Sequence, residues 1–179
     1  MNKIIFLLIS LILLLSGIIF FLHQESWIII NAPSTNTIHS EQTPTIKTQE
    51  ATLWFWHKGA LHKETTEIIL SNDIAQTLKQ LINNWFTLLE EERITDQQIT
   101  VQSVALAPNN QEAFISLHQY PFDKQTSTHT KLMLMESLLK TIKEAKLNIT
   151  SIRLLVHHQV LQDDQLNFDI SWPITGYLV

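Results

Sequence analysis

The sequence predicts an α+β domain, a two-layer α/β sandwich of repeated strand-strand-helix units with a mixed sheet, preceded by one N-terminal transmembrane helix. Three observations carry this reading. Residues 4–22, IIFLLISLILLLSGIIFFL, are apolar and uncharged throughout. Two later segments repeat apolar residues with the helical period. Around them lie short β-rich runs separated by turn formers.

At a helical rise of about 1.5 Å per residue, residues 4–22 span roughly 28 Å, close to the hydrocarbon thickness of a bilayer. The run exceeds the length of a signal-peptide core, and FLHQESW after it offers no small-x-small cleavage pair. With no cysteine in the chain, lipoprotein processing is excluded. The segment therefore reads as an uncleaved signal anchor in residues 1–30, in contact with the lipid bilayer through residues 4–22. Lys3 precedes it, whereas Glu25 follows and the next basic residue is Lys47. The positive-inside rule puts the N-terminus in the cytoplasm and the rest of the chain in the periplasm or cell exterior.

Residues 31–50 are rich in Ser, Thr, Asn and Gln, with Pro33 and Pro44 and no apolar period, and they read as a polar linker. Residues 51–179 are enough for one domain with a real core. The net charge is −5, and setting aside Lys3 and Glu25 leaves it unchanged. An acidic domain lacks the clustered cations that nucleic acid requires, so no nucleic-acid partner is expected.

Within the domain, residues 52–56, TLWFW, are apolar on both faces, as in a central strand, and 64–70, ETTEIIL, read as a second strand. Ser71 and Asn72 offer a helix cap. Ile74, Ala75, Leu78, Leu81, Ile82, Trp85, Leu88 and Leu89 then fall on one helical face. Glu90, Glu91 and Glu92 oppose the macrodipole at a C-terminus, so the helix ends near them. Residues 101–106 and 112–117 should form a hairpin across Pro108, Asn109 and Asn110. A second helix is expected from about His129 to Lys146, with a stripe of Leu132, Met135, Leu138, Leu139, Ile142 and Ala145. Residues 151–156 form another strand. Leu166, Phe168 and Ile170 alternate with Asn167 and Asp169, as in a closing strand buried on one face.

The C-terminal half resembles the GerMN domain, found in GerM-type spore germination and sporulation proteins and in bacterial envelope lipoproteins. The resemblance rests on Lys140-Thr141-Ile142 in the helix, Ile152, Leu154, Leu155 and Val156 in the strand, and Asp169, Ser171 and Pro173 in the closing motif. More loosely, LWFWHKGALHKET resembles the family's opening hairpin. The chain departs from the family at EEERITD, where a Gly-Pro turn is usual, and at His157-His158-Gln159, where a glycine is usual. The resemblance implies an extracytoplasmic interaction domain in envelope assembly, with Thr141, Asp169, Ser171 and Pro173 as structural residues. Its partners would be envelope proteins or other copies of the chain. It does not imply catalysis.

The residues themselves offer little chemistry. Eight histidines include His57 and His62, five apart, and the adjacent His157 and His158, but no HExxH helix is present. No metal or cofactor is expected. Three glycines exclude a glycine-rich phosphate loop. Asp163 and Asp164, with Glu64 and Glu67, are the carboxylates that could cleave a glycan, although the two aspartates read first as turn residues. Trp54 and Trp56 share one face of the first strand and, with Trp172, form the candidate interaction surface. On an exposed face they would stack on a sugar such as peptidoglycan or accept a protein; in the interior they would pack against a helix. The sequence thus favours a membrane-anchored, non-catalytic interaction domain, with a cell-wall glycan binder or glycan hydrolase as alternatives.

Overall fold

A computed structural model describes residues 48–123 and 125–177. The anchor at 4–22, its flanks with Lys3, Glu25 and Trp27, and most of the linker lie outside the described residues. Among the described residues no helix is long and apolar enough to cross a membrane.

The element order is β1 (Thr48–His57), β2 (Ala60–Ile69), α1 (Ile74–Glu91), β3 (Val101–Leu106), β4 (Glu112–Leu117), α2 (Thr128–Glu144), β5 (Ser151–Val156), β6 (Gln159–Val160) and β7 (Trp172–Pro173). The strand-strand-helix order therefore occurs twice. The described residues form a mixed α and β domain with two helices and two sheets. β1 begins at Thr48, inside the stretch read as linker.

β1 and β2 pair antiparallel from Thr48↔Ile69 to His57↔Ala60. Lys58 and Gly59 join them with φ of 49° and 79°. Two positive φ values make a type I′ turn, whose twist matches the flanking strands. The second sheet is mixed: β3 and β4 run antiparallel, β4 and β5 parallel, and β6 and β7 pair along β5. A parallel pair needs a long crossover, which α2 supplies between β4 and β5.

The sequence predicts one mixed sheet; the structure divides the strands between two. The physical reason lies at the outer edge of β1. Trp54 N–H donates to Thr141 Oγ1 at 2.8 Å, and Trp54 C=O accepts from Trp85 Nε1 at 2.6 Å. Helix side chains take the groups that a third strand would use.

Both helices are capped by side chains. Asp73 Oδ1 accepts from Ala75 N–H at 2.9 Å, and Ser127 Oγ from Thr130 N–H at 3.2 Å. α1 ends in a Schellman motif, with Arg93 N–H bonded to Glu90 C=O and Ile94 N–H to Leu89 C=O. Arg93 and Lys146 occupy the left-handed position after α1 and α2, at φ 55° and 54°, where glycine is usual. One core joins Ala51, Leu53, Phe55 and Ile68 of the hairpin to the inner helix faces and to Ala113, Ile115, Ile152 and Leu154 of the larger sheet.

One expected strand is absent. Leu166, Phe168 and Ile170 belong to no strand, and the closing pairing is confined to Trp172–Pro173 against Ser151 and Ile152. Asp163 Oδ1 takes the N–H groups of Gln165 and Leu166, and Asn167 Oδ1 takes that of Asp169. Side chains that bind nearby backbone compete with a strand ladder.

Candidate interaction surface

β1 presents Ala51, Leu53 and Phe55 to the core, so pleating turns Trp54 and Trp56 to its other face. Both are half-buried. Lys140 Nζ of α2 stands 3.5 Å from the centroid of the Trp54 ring, and Lys63 Nζ of β2 stands 5.9 Å from it. Trp56 makes an edge contact with the His129 ring at 5.9 Å. A sugar stacking on Trp54 from the Lys140 side would have to displace the ammonium.

The outer face of α2 continues this surface. Met133, Leu139, Lys140 and Lys143, with Leu61 of β2 and Ile174 beyond β7, line an open groove of about 800 Å³. Lys143 and Lys146 are exposed, and among the described residues no carboxylate lies within ion-pair distance of Lys140, Lys143 or Lys146. Gly176, at φ 79°, closes one side of the groove; a Cβ there would collide with the Glu136 carboxylate. The same carboxylate accepts from Tyr177 N–H at 2.7 Å. On a domain of net negative charge, Lys63, Lys140, Lys143 and Lys146 thus form a lysine strip beside an apolar groove, whose lining also includes Glu136 and Glu144.

A second cluster lies at the first turns of α2. Lys131 is 3% exposed and its ammonium meets Asp163 Oδ2 at 2.6 Å. The Tyr120 hydroxyl donates to the same oxygen. Burial pushes the Asp163 carboxyl up, but bonds from Lys131, Tyr120 and the N–H groups of Gln165 and Leu166 outweigh it, holding it at about 2 against an ordinary 3.8. The Tyr120 phenol is raised, first by burial and then by the carboxylate beside it. A carboxylate so saturated with donors stays ionised at neutral pH and is not a proton donor there. Glu64 and Glu67 lie exposed on β2. No sequence signal marked Lys131: its position on the helical wheel was legible, but a lysine reads by default as exposed.

The remaining expected residues occupy several different environments. Trp172, left open between surface and core by the sequence, is a core residue at 4% exposure. It stacks on Phe168 and donates its indole N–H to Asn167 C=O. Thr141 is fully buried and ties α2 to β1, donating also to Ser137 C=O at 2.9 Å. Ser171 Oγ donates to Glu112 and accepts from Arg153 Nη2 at 3.0 Å, linking the closing segment to β4 and β5. Pro173 pairs with Ser151 in β7, and Asp169 is an exposed turn residue. His157 and His158, at φ 50° and 64°, form the β5–β6 turn rather than an extended pair. Among the described residues no group of three His, Asp or Glu side chains is placed to hold a metal ion. A smaller cleft of about 200 Å³ opens between the end of α1 and the start of α2, floored by Trp85, Leu89 and Met135.

No family model matches the chain, and no curated protein matches it. Among solved structures, a chain described as a "Putative Lipoprotein" from Clostridium perfringens is 16% identical, with a TM-score of 0.45, over 76% of this chain and 93% of that one.

Proposed function

We propose that the protein is a membrane-anchored, non-catalytic interaction domain of a bacterial envelope, similar to GerMN domains. It faces the periplasm or cell exterior and binds another envelope protein through the surface formed by Trp54, the lysine strip and the groove along α2. The observation that carries this reading is the coincidence, among the described residues, of the exposed Lys143 and Lys146, which form no ion pair there, with an open apolar groove. Apolar surface flanked by uncompensated charge favours a partner segment that presents apolar side chains between carboxylates. The uncharged run at 4–22 supports the anchor, and the saturated state of Asp163 supports a non-catalytic role for that carboxylate.

A photo-crosslinking residue replacing Met133 in the full chain, expressed in cells, tests the reading. A discrete adduct with an acidic envelope protein is expected, and Lys143→Glu with Lys146→Glu should remove it. Persistence of the adduct in the charge-reversed chain overturns the assigned surface. Turnover of purified cell-wall glycan by the full chain overturns the non-catalytic reading, and sedimentation with peptidoglycan that Trp56→Ala abolishes replaces the protein partner with a glycan.

A further inference from the structure

The two sheets end in edges that are treated differently. At β1, Thr141 and Trp85 occupy the main-chain groups of Trp54. At β3, Asn83 Oδ1 accepts from Val101 N–H at 2.8 Å, and Lys79 Nζ donates to Gln102 C=O at 2.9 Å. Helix side chains thus cap both edges. Among the described residues, the outer edge of β2 has no such cover along most of its length.

Register fixes which β2 groups point outward. The N–H and C=O of Trp54 face the helices, so Trp54 and its partner Lys63 are a non-hydrogen-bonded pair within the hairpin. The main-chain groups of Lys63 therefore point away from β1, and those of Leu61, Thr65, Glu67 and Ile69 follow by alternation. Ile69 N–H donates to Gln80 Oε1 at 3.2 Å, as this phase requires. The main-chain groups of Leu61, Lys63, Thr65 and Glu67 have no intramolecular partner among the described residues. Such an edge is a template for another strand.

We infer that the β2 edge pairs with the β2 edge of a second copy, antiparallel about a twofold axis through Thr65, to make a four-stranded sheet. The side chains select this partner. In that register Lys63 lies opposite the second copy's Glu67, and Glu67 opposite its Lys63. Leu61 and Ile69, both among the exposed large apolar residues at 36% and 50%, face each other in two symmetric pairs. Thr65 meets itself on the axis. Apolar, opposite-charge and Thr–Thr pairs are the favourable cross-strand combinations. All these residues have outward main-chain groups, so every facing pair is of the hydrogen-bonded kind. Sliding the strands by one hydrogen-bonding step sets Lys63 opposite Thr65 or Ile69 and loses both charge pairs.

One feature of the hairpin agrees with this pairing. Glu50 and Glu67 are directly opposite within it, and among the described residues no cation lies within ion-pair distance of either. A second copy's Lys63 would relieve that repulsion.

The chain has no cysteine, so Thr65→Cys in the full chain introduces a single thiol. On the axis the two Cα atoms would stand about 5.5 Å apart, within disulfide range. The full chain in detergent, oxidised and run without reductant, should give a covalent dimer for Thr65→Cys. The control Glu64→Cys should give little, because its copies would be about 8 Å apart in this register. Adding Lys63→Glu to Thr65→Cys should cut dimer yield at limiting concentration about tenfold, and adding Glu67→Lys as well should restore it. Equal crosslinking at positions 64 and 65, or failure of the double swap to restore the yield, overturns the proposal. Leu61 and Lys63 belong to both surfaces, but the Met133 crosslink is tested by Lys143→Glu with Lys146→Glu and the dimer by Thr65→Cys with the Lys63 and Glu67 swap, so the two readings fail separately.

Discussion

α2 carries the same residue type in two opposite situations. Near its start, Lys131 is buried and its ammonium meets a carboxylate that also holds Tyr120 and two backbone N–H groups. Toward its end, Lys143 and Lys146 stand in solvent beside an apolar groove with no carboxylate in reach among the described residues. A charge enclosed by its own chain serves the fold, because it is costly to strand. A charge left open contributes little to the fold and is available to a partner. Substitutions at the two ends should therefore separate stability from binding.

The largest effect is expected at the closed end. Asp163→Ala leaves Lys131 buried without its counter-charge and frees the turn over Gln165 and Leu166. A loss of about 3–5 kcal/mol is expected, read as a lower midpoint in urea unfolding. Lys131→Met should cost less, because Asp163 keeps its bonds from Tyr120 and the backbone. Equal losses would show that the pair, and not the carboxylate, organises this region.

The same cluster sets an acid limit. The Asp163 carboxyl is held at about 2 in the fold, below its ordinary 3.8. A depressed acid contributes stability above its unfolded pKa and loses it as pH falls through the folded value. About 2 kcal/mol should disappear between roughly pH 4 and pH 2, and that part of the pH dependence should vanish in Asp163→Ala. Unchanged acid sensitivity in the variant would remove Asp163 as its source.

A comparable loss is expected where α2 meets the hairpin. Thr141→Val keeps the shape and strands the N–H of Trp54, at a cost of about 1–3 kcal/mol in the same unfolding measurement. This contact also shows where sequence reasoning stops. The element order as far as β5, the inner helix faces and the strands at 101–106, 112–117 and 151–156 were legible, because apolar periodicity is local. The division into two sheets was not, because it depends on Thr141 and Trp85, which lie 87 and 31 residues from Trp54. The Leu166–Ile170 alternation misled for a related reason: Asp163 and Asn167 claimed the backbone locally. For the candidate surface, Trp54 and Trp56 were visible as a face, but the Lys140 ammonium over Trp54 comes from a distant helix.

The smallest stability effects belong to the open end, where the comparison is sharpest. Lys146 holds a left-handed backbone at φ 54°, so Lys146→Gly relaxes strain and should raise stability by about 0.5–1 kcal/mol. Lys143→Gln should change it by no more than about 0.5 kcal/mol, since the side chain lies in solvent and acts on the fold through the helix dipole. Both substitutions also remove a positive charge from the groove. If the open lysines serve a partner, each variant should weaken the Met133 crosslink while leaving the unfolding midpoint unchanged or higher. Parallel movement of crosslinking and stability in the two variants would break the distinction between the ends of α2 and return the lysine strip to the fold.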